Sequence, residues 1–93
     1  MGYSWTPWAL AALDGIEPYE VVQALDAEHR WPRPAHGPGG VPVLTIWART
    51  REGRPLIVAV RRFGEWDSII IGARDMYLRE RTDFVRWEEA HGD

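Results

Sequence analysis

Apolar residues recur along the chain with two different periods, and the switches between them divide it into elements. In "WTPWALAALDG", Thr6 stands as an N-cap, Pro7 at the first helical position and Gly15 just past the end, which predicts a helix of about two turns. "EPYEVVQALDAEH" repeats the device with Pro18, and Ile16, Tyr19, Val22 and Leu25 fall at helical spacing, so a second helix buries that face. Residues 30–42, "RWPRPAHGPGGVP", pack four prolines and three glycines together and predict a loop. Residues 43–50, 55–63 and 66–73 are rich in β-branched and aromatic side chains and are separated by hairpin-sized breaks, "REGR" and "GE". They predict three adjacent strands. Residues 75–89 return to helical periodicity, with an acidic residue at the start that suits the positive end of the helix dipole.

The expected fold is therefore α+β in a single domain over residues 1–93: two N-terminal helices, a three-stranded antiparallel β-meander, and a C-terminal helix packed on the sheet. The helices are expected to cover one face. Period-two alternation puts Val43, Thr45, Trp47 and Arg49 on one side of the first strand and Leu44, Ile46 and Ala48 on the other. Trp47 beside Arg49 on the less buried side could receive a nucleotide or a partner chain.

The stretch "SIIIGARDMYLRER", residues 68–81, runs from strand into helix and poses the question of its arginines. At 100° per residue, Tyr77, Leu78, Phe84 and Val85 make the apolar face of the helix, Arg81 falls near its middle, and Arg74 projects in almost the same direction. A guanidinium there must be paired, hydrogen-bonded or open to water. Arg81 is accordingly expected to pair with a carboxylate such as Asp67 or Asp26, or to extend its stem to the edge, or else to serve a site. Arg79 falls on the opposite, solvent side.

Charge changes this picture modestly. The net charge of −3 argues against a large phosphate-binding surface, but the middle of the chain, residues 47–82, carries 8 Arg against 5 acids. All 11 basic residues are Arg, which fits either bidentate anion contacts or the codon bias of a GC-rich genome. With no cysteine, disulfides, thiol catalysis and Cys-based metal sites are excluded, and no apolar run is long enough to span a bilayer. A soluble cytoplasmic protein without a membrane partner is expected. Six tryptophans are many for 93 residues and suit a core, self-association into a homo-oligomer, or base stacking.

Motif-based chemistry is sparse. No phosphate-cradling glycine loop, G-x-S-x-G or H-E-x-x-H occurs, and His29, His36 and His91 are scattered. No cofactor or metal is implied. His36, alone in its loop, reads first as a solvated histidine and second as an acid or base near neutral pH.

Several segments together resemble the BrnT family of bacterial type II toxins, small proteins with a RelE-like fold. "GRPLIVAVRR" is similar to the family's Gly-Arg-x-Leu-x-Val-Val-Tyr-Thr, and "IIIGARDMYLRER" to its Ile-Ile-Ser-Ala-Arg-x-Ala-Thr-x-x-Glu-Arg, with Arg74, Glu80 and Arg81 in register. "DGIEPYEVVQAL" resembles a His-Gly-Ile-Ser-Phe-Glu-Glu-Ala segment, and "YSWTP" an opening Phe-x-Trp-Asp-Pro. Departures include Leu13-Asp14 in place of Lys-His, Gly72 in place of Ser, and Met76-Tyr77 in place of Ala-Thr. The resemblance implies a metal-independent endoribonuclease acting on RNA and neutralised by a cognate antitoxin of ribbon-helix-helix type. It implies Arg74 on the scissile phosphate, Arg61 or Arg62 on a flanking one, Glu80 in proton transfer or orienting Arg74, and Tyr77 as acid or stacking surface. Arg49, Arg81 and Trp47 would complete the RNA contact. The departures favour an alternative, a non-catalytic relative that binds an antitoxin-like protein.

Overall fold

The computed structural model describes residues 2–91. Five strands form one mixed sheet: β1 (Gly2–Trp5), β2 (Trp31–His36), β3 (Pro42–Arg49), β4 (Pro55–Phe63) and β5 (Asp67–Asp75), in the order β1-β5-β4-β3-β2. β1 pairs parallel to β5 and the other neighbours are antiparallel. The helices are α1 (Pro7–Ala11), α2 (Pro18–Leu25) and α3 (Leu78–His91). The chain thus starts at one edge, crosses through α1 and α2 to the opposite edge, and returns strand by strand until β5 meets β1.

This corrects the three-stranded antiparallel meander expected from the sequence. The first added strand, β1, is too short to show a period. The second, β2, lies inside the proline-rich stretch read as a loop. Pro32 and Pro34 stand two residues apart on an edge strand, where alternation turns both nitrogens the same way, toward the unpaired side. The prolines therefore cost no ladder bonds and close that edge to further pairing.

The helices also do not share a face. Leu44, Ile46, Ala48, Leu56, Val58, Val60 and Ile70 meet Ile16, Val21, Ala24 and Leu25, so α1 and α2 cover one side. Trp47 and Ile57 meet Met76, Phe84, Trp31 and Trp87 on the other, so α3 covers part of the reverse side. Consecutive residues of β3 and β4 supply the two cores alternately, which is why these strands read as nearly continuous apolar runs.

Local chemistry explains the helix starts. The Thr6 hydroxyl accepts from the Ala9 amide at 3.2 Å, and Glu17 and Glu20 form a capping box at α2 with Pro18 in the first turn. Helix faces differ from the wheel reading: in α2 Val21, Ala24 and Leu25 are buried while Tyr19 and Val22 are exposed. In α3 Phe84 is fully buried, whereas Leu78 is 78% exposed and Tyr77 and Val85 are exposed as well. The docked face of α3 is Glu80, Phe84, Trp87 and Glu88, a spacing of three and four residues that the charged members conceal from an apolar count.

Arg54 locks the helical layer to the sheet. Its Nε and Nη2 donate to Asp75 at 2.7 and 2.8 Å, and its Nη1 reaches the Gly15 carbonyl at 2.9 Å and Glu20 at 3.1 Å. Gly53, at φ 93°, makes the tight β3–β4 turn that presents it.

The orientation of α3 is open to a direct comparison of substitutions. Phe84→Ala removes a filled core position and is expected to lower unfolding free energy by about 3–5 kcal/mol. Leu78→Ala, in the wheel-predicted core, should change it by no more than about 0.5 kcal/mol. Urea denaturation followed by tryptophan fluorescence measures both, and similar losses for the two would contradict this docking.

Candidate nucleic-acid interface on the open sheet face

Because α3 covers only one end of its side of the sheet, the rest of that face is open. Register places Arg33, Thr45, Ala59 and Gly72 in a row across β2, β3, β4 and β5. Thr45, Ala59 and Gly72, with Ile57, Ala73 and Arg74, line a shallow trough of about 260 Å³. Arg61 and Ile69 pair in the next row, farther from α3, and Val43 borders a cleft with Arg61 there. The floor is low because its side chains are small, and nothing lies within 4 Å of where a Cβ on Gly72 would sit.

Arg74 is the penultimate residue of β5 and shares its face with Gly72 two residues before. Its Nη1 donates to Glu80 Oε1 at 2.7 Å and to the Asp75 carbonyl at 3.1 Å, and its Nη2 to Glu80 Oε2 at 2.8 Å. A guanidinium carries five donors. Glu80 thus occupies the end-on edge of the fork and leaves Nε–H and one Nη2–H, the side-on edge that fits a phosphate. The Tyr77 ring lies 4.3 Å from the guanidinium carbon. Glu80 also accepts from the Tyr77 amide at 2.8 Å, which ties the first turn of α3 to Arg74.

The electrostatics agree with this arrangement. Hydrogen bonds from Arg74 hold the Glu80 carboxyl below the usual glutamate range, against an opposing push from partial burial and with help from the Tyr77 amide. The same bonds raise Arg74 further above its already high value.

The other sequence candidates disperse. Arg61 faces the trough side, but Arg62, the next residue, lies on the opposite face, where its Nη2 donates to the Glu65 carbonyl at 2.9 Å. It lines a separate cleft of about 310 Å³ with Tyr3, Leu44 and Trp66. Alternation points the two side chains to opposite faces, and they border one common cleft, of about 300 Å³, only at the sheet's end beside Pro42, Val43 and Leu44. Arg49 grips Glu88 through Nε and Nη2 at 2.8 and 2.9 Å, and its third nitrogen binds the Gly53 carbonyl. It is a structural tie between β3 and α3. Trp47 is only 8% exposed, against the edge of Trp31, so the expectation of an accessible ring there is corrected. Arg81 is exposed on the outer side of α3 with Leu78, Thr82, Val85 and Arg86, paired with neither Asp67 nor Asp26 among the described residues.

His36 lies in β2 and not in a loop, and His91 stacks on Trp87 at the end of α3. Among the described residues no group of three or more His, Cys, Asp or Glu side chains could hold a metal ion. No helix is long and apolar enough to cross a membrane among the described residues. Sequence reading passed over Arg33 and Ala59, and gave Thr45 a place on the Trp47 and Arg49 face of its strand but no role. The alternate prolines flanking Arg33 were the available sign that it belongs to an edge strand. No protein-family model matches the chain, and no curated protein matches it significantly.

The Arg74–Glu80 pair has a pH signature. Since Glu80 titrates lower in the folded chain than its unfolded value of about 4.3, its stabilisation is complete above that value and is lost as pH falls through the depressed one. Glu80→Gln should therefore flatten the fall of Tm between about pH 4.5 and pH 2, leaving the part due to Asp75, which Arg54 depresses in the same way. Thermal melts across that range test this, and an unchanged slope in the variant would contradict it.

Proposed function

We propose that the chain is the toxin of a type II toxin–antitoxin module and that it binds and cleaves single-stranded RNA on the open sheet face without a metal ion. The observation that carries this reading is the free side-on edge of Arg74, beside a trough floored by Thr45, Ala59 and Gly72. The resemblance of residues 53–81 to BrnT toxins supplies the module. In this reading the RNA's own 2′-OH attacks the adjacent phosphorus, the bond to the 5′ oxygen breaks, and a 2′,3′-cyclic phosphate and a 5′-OH result. Arg74 stabilises the charge that grows on the phosphorane oxygens. Glu80 is already bonded to Arg74 and to the Tyr77 amide, which suits orienting Arg74 better than shuttling protons. Tyr77, exposed against Arg74, supplies the proton for the leaving oxygen while the 2′-OH proton passes to solvent water, and Arg61 meets a flanking phosphate.

Induced expression in a bacterium should arrest growth, and the purified protein should cleave RNA in the presence of EDTA. Arg74→Ala should lose activity by about 100-fold or more, and Arg74→Lys nearly as much, because an ammonium lacks the fork. Wild-type expression with neither arrest nor cleavage would remove the catalytic reading.

A second reading, a non-catalytic chain that binds an antitoxin-like protein, is favoured by the outer side of α3. Leu78 and Val85 are exposed there between Arg81 and Arg86, and form an apolar stripe with cationic flanks. Such a stripe suits an amphipathic acidic segment. Co-expression with the neighbouring reading frame should yield a complex that Leu78→Glu weakens about tenfold or more. Absence of a complex would count against it.

A further inference from the structure

We infer that Arg33 forms a second phosphate subsite on the open sheet face, holding the RNA backbone at the β2 edge while Arg74 engages it at β5. This rests on the RNA reading above. Arg33 shares a face with Trp31 and Trp47, and its guanidinium carbon lies 4.5 Å from one indole ring and 4.9 Å from the other. The rings meet edge to face at 5.4 Å, and the guanidinium carbon sits within cation–π reach of both. Its N–H groups make no hydrogen bond among the described residues and are open to an anion. Among the described residues the Arg33 side chain has no carboxylate partner, unlike Arg49, Arg54 and Arg74.

Position makes this cation part of the same surface. Its backbone carbonyl accepts from the Thr45 hydroxyl at 2.6 Å, which pins β2 beside the trough. Three inter-strand steps separate Arg33 from the Gly72 position on β5, about 14 Å at the usual strand spacing. Only Thr45 and Ala59 intervene in that row, so an extended chain meets no bulky side chain between the two arginines. A polyanion with regularly spaced charges can reach both, with Arg61 in the adjoining row. The tryptophans thus act beneath the phosphate contact by stiffening Arg33, and the stacking surface expected of Trp47 becomes a support for a cation.

The test is anisotropy titration of a labelled oligo-uridylate with 2′-O-methyl sugars, which blocks cleavage, at several salt concentrations. Wild type, Arg33→Ala and Arg33→Lys are compared, with polyglutamate as a competing polyanion. Arg33→Ala should bind about tenfold more weakly at low salt, with the slope of log K against log salt smaller by about 0.7, one phosphate contact on a single strand. Arg33→Lys should keep most of the slope. In cleavage assays Arg33→Ala should raise KM far more than it lowers kcat, the reverse of Arg74→Ala. If Arg33→Ala binds RNA with wild-type affinity and slope, Arg33 is only a cover for the tryptophans and the subsite is overturned while the RNA reading stands. If wild type fails to bind RNA, or binds polyglutamate alone, both fall.

Discussion

The architecture depends on how α3 is fastened to the sheet. Glu80, Phe84 and Glu88 lie four residues apart on one face of the helix, and each carboxylate meets an arginine fork, Arg74 from β5 and Arg49 from β3. Phe84 sits fully buried between them, with the Arg49 guanidinium carbon 5.5 Å from its ring. Burying a phenylalanine side chain is worth about 1.5–3 kcal/mol, and Trp87 stacked against it and on Trp31 adds to the same face. The half-exposed forks each contribute less energy than that, but they fix rotation, since a helix turned to bury Leu78 and Val85 would break both. Direction comes from the ion pairs and most of the energy from the aromatic rings.

The same alternation that gives β3 and β4 two buried faces sorts the arginines between the two sides of the sheet. Arg61 and Arg62 are adjacent in sequence and on opposite sides of the sheet, and Arg74 belongs to the Arg61 side. Because α3 reaches only one end of that side, the free edge of Arg74 meets solvent above small side chains instead of a packed layer. Arg54 performs the corresponding fastening on the reverse side, joining Asp75, Glu20 and the Gly15 carbonyl. Adjacent residues at the end of β5, Arg74 and Asp75, therefore tie opposite layers, one to α3 and the other toward α2.

Much of this was legible in the sequence where one signal acted alone. Thr6 with Pro7, and Pro18 before an amphipathic run, marked the starts of α1 and α2, and the β-branched runs located β3, β4 and β5 to within a few residues. Signals failed where two competed. Prolines at 32 and 34 argued against a strand, yet an edge strand with both nitrogens outward satisfies them, and their alternate spacing was the one local sign of that edge. The apolar wheel of the last helix misled because Glu80 and Glu88 count as polar while being partly buried partners of arginines. Which face Arg74 occupies was hidden as well, since its residue lies in the strand and no helical projection applies. The open trough is a product of register between strands and has no sequence mark beyond small residues at Ala59 and Gly72.

Net charge of −3 seemed to oppose a polyanion partner, but a sum over the chain ignores where the charges lie. Asp14, Glu17, Glu20, Asp26 and Glu28 all belong to or adjoin the α1–α2 layer, while Arg33, Arg61 and Arg74 emerge on the other side of the sheet. The sheet and the packed core beneath it stand between those carboxylates and the open face, and exposed charges farther apart than the screening length of about 8 Å at physiological salt interact weakly. A phosphate over the trough therefore feels the near arginines strongly and the far carboxylates weakly. Glu80 and Glu88 on α3 are each consumed by a fork, and Asp67 stands opposite Phe63 at the far end of the face, beyond Arg61. The potential that matters to an anion on the open face is set by Arg33, Arg61 and the free edge of Arg74, and an acidic average does not forbid it.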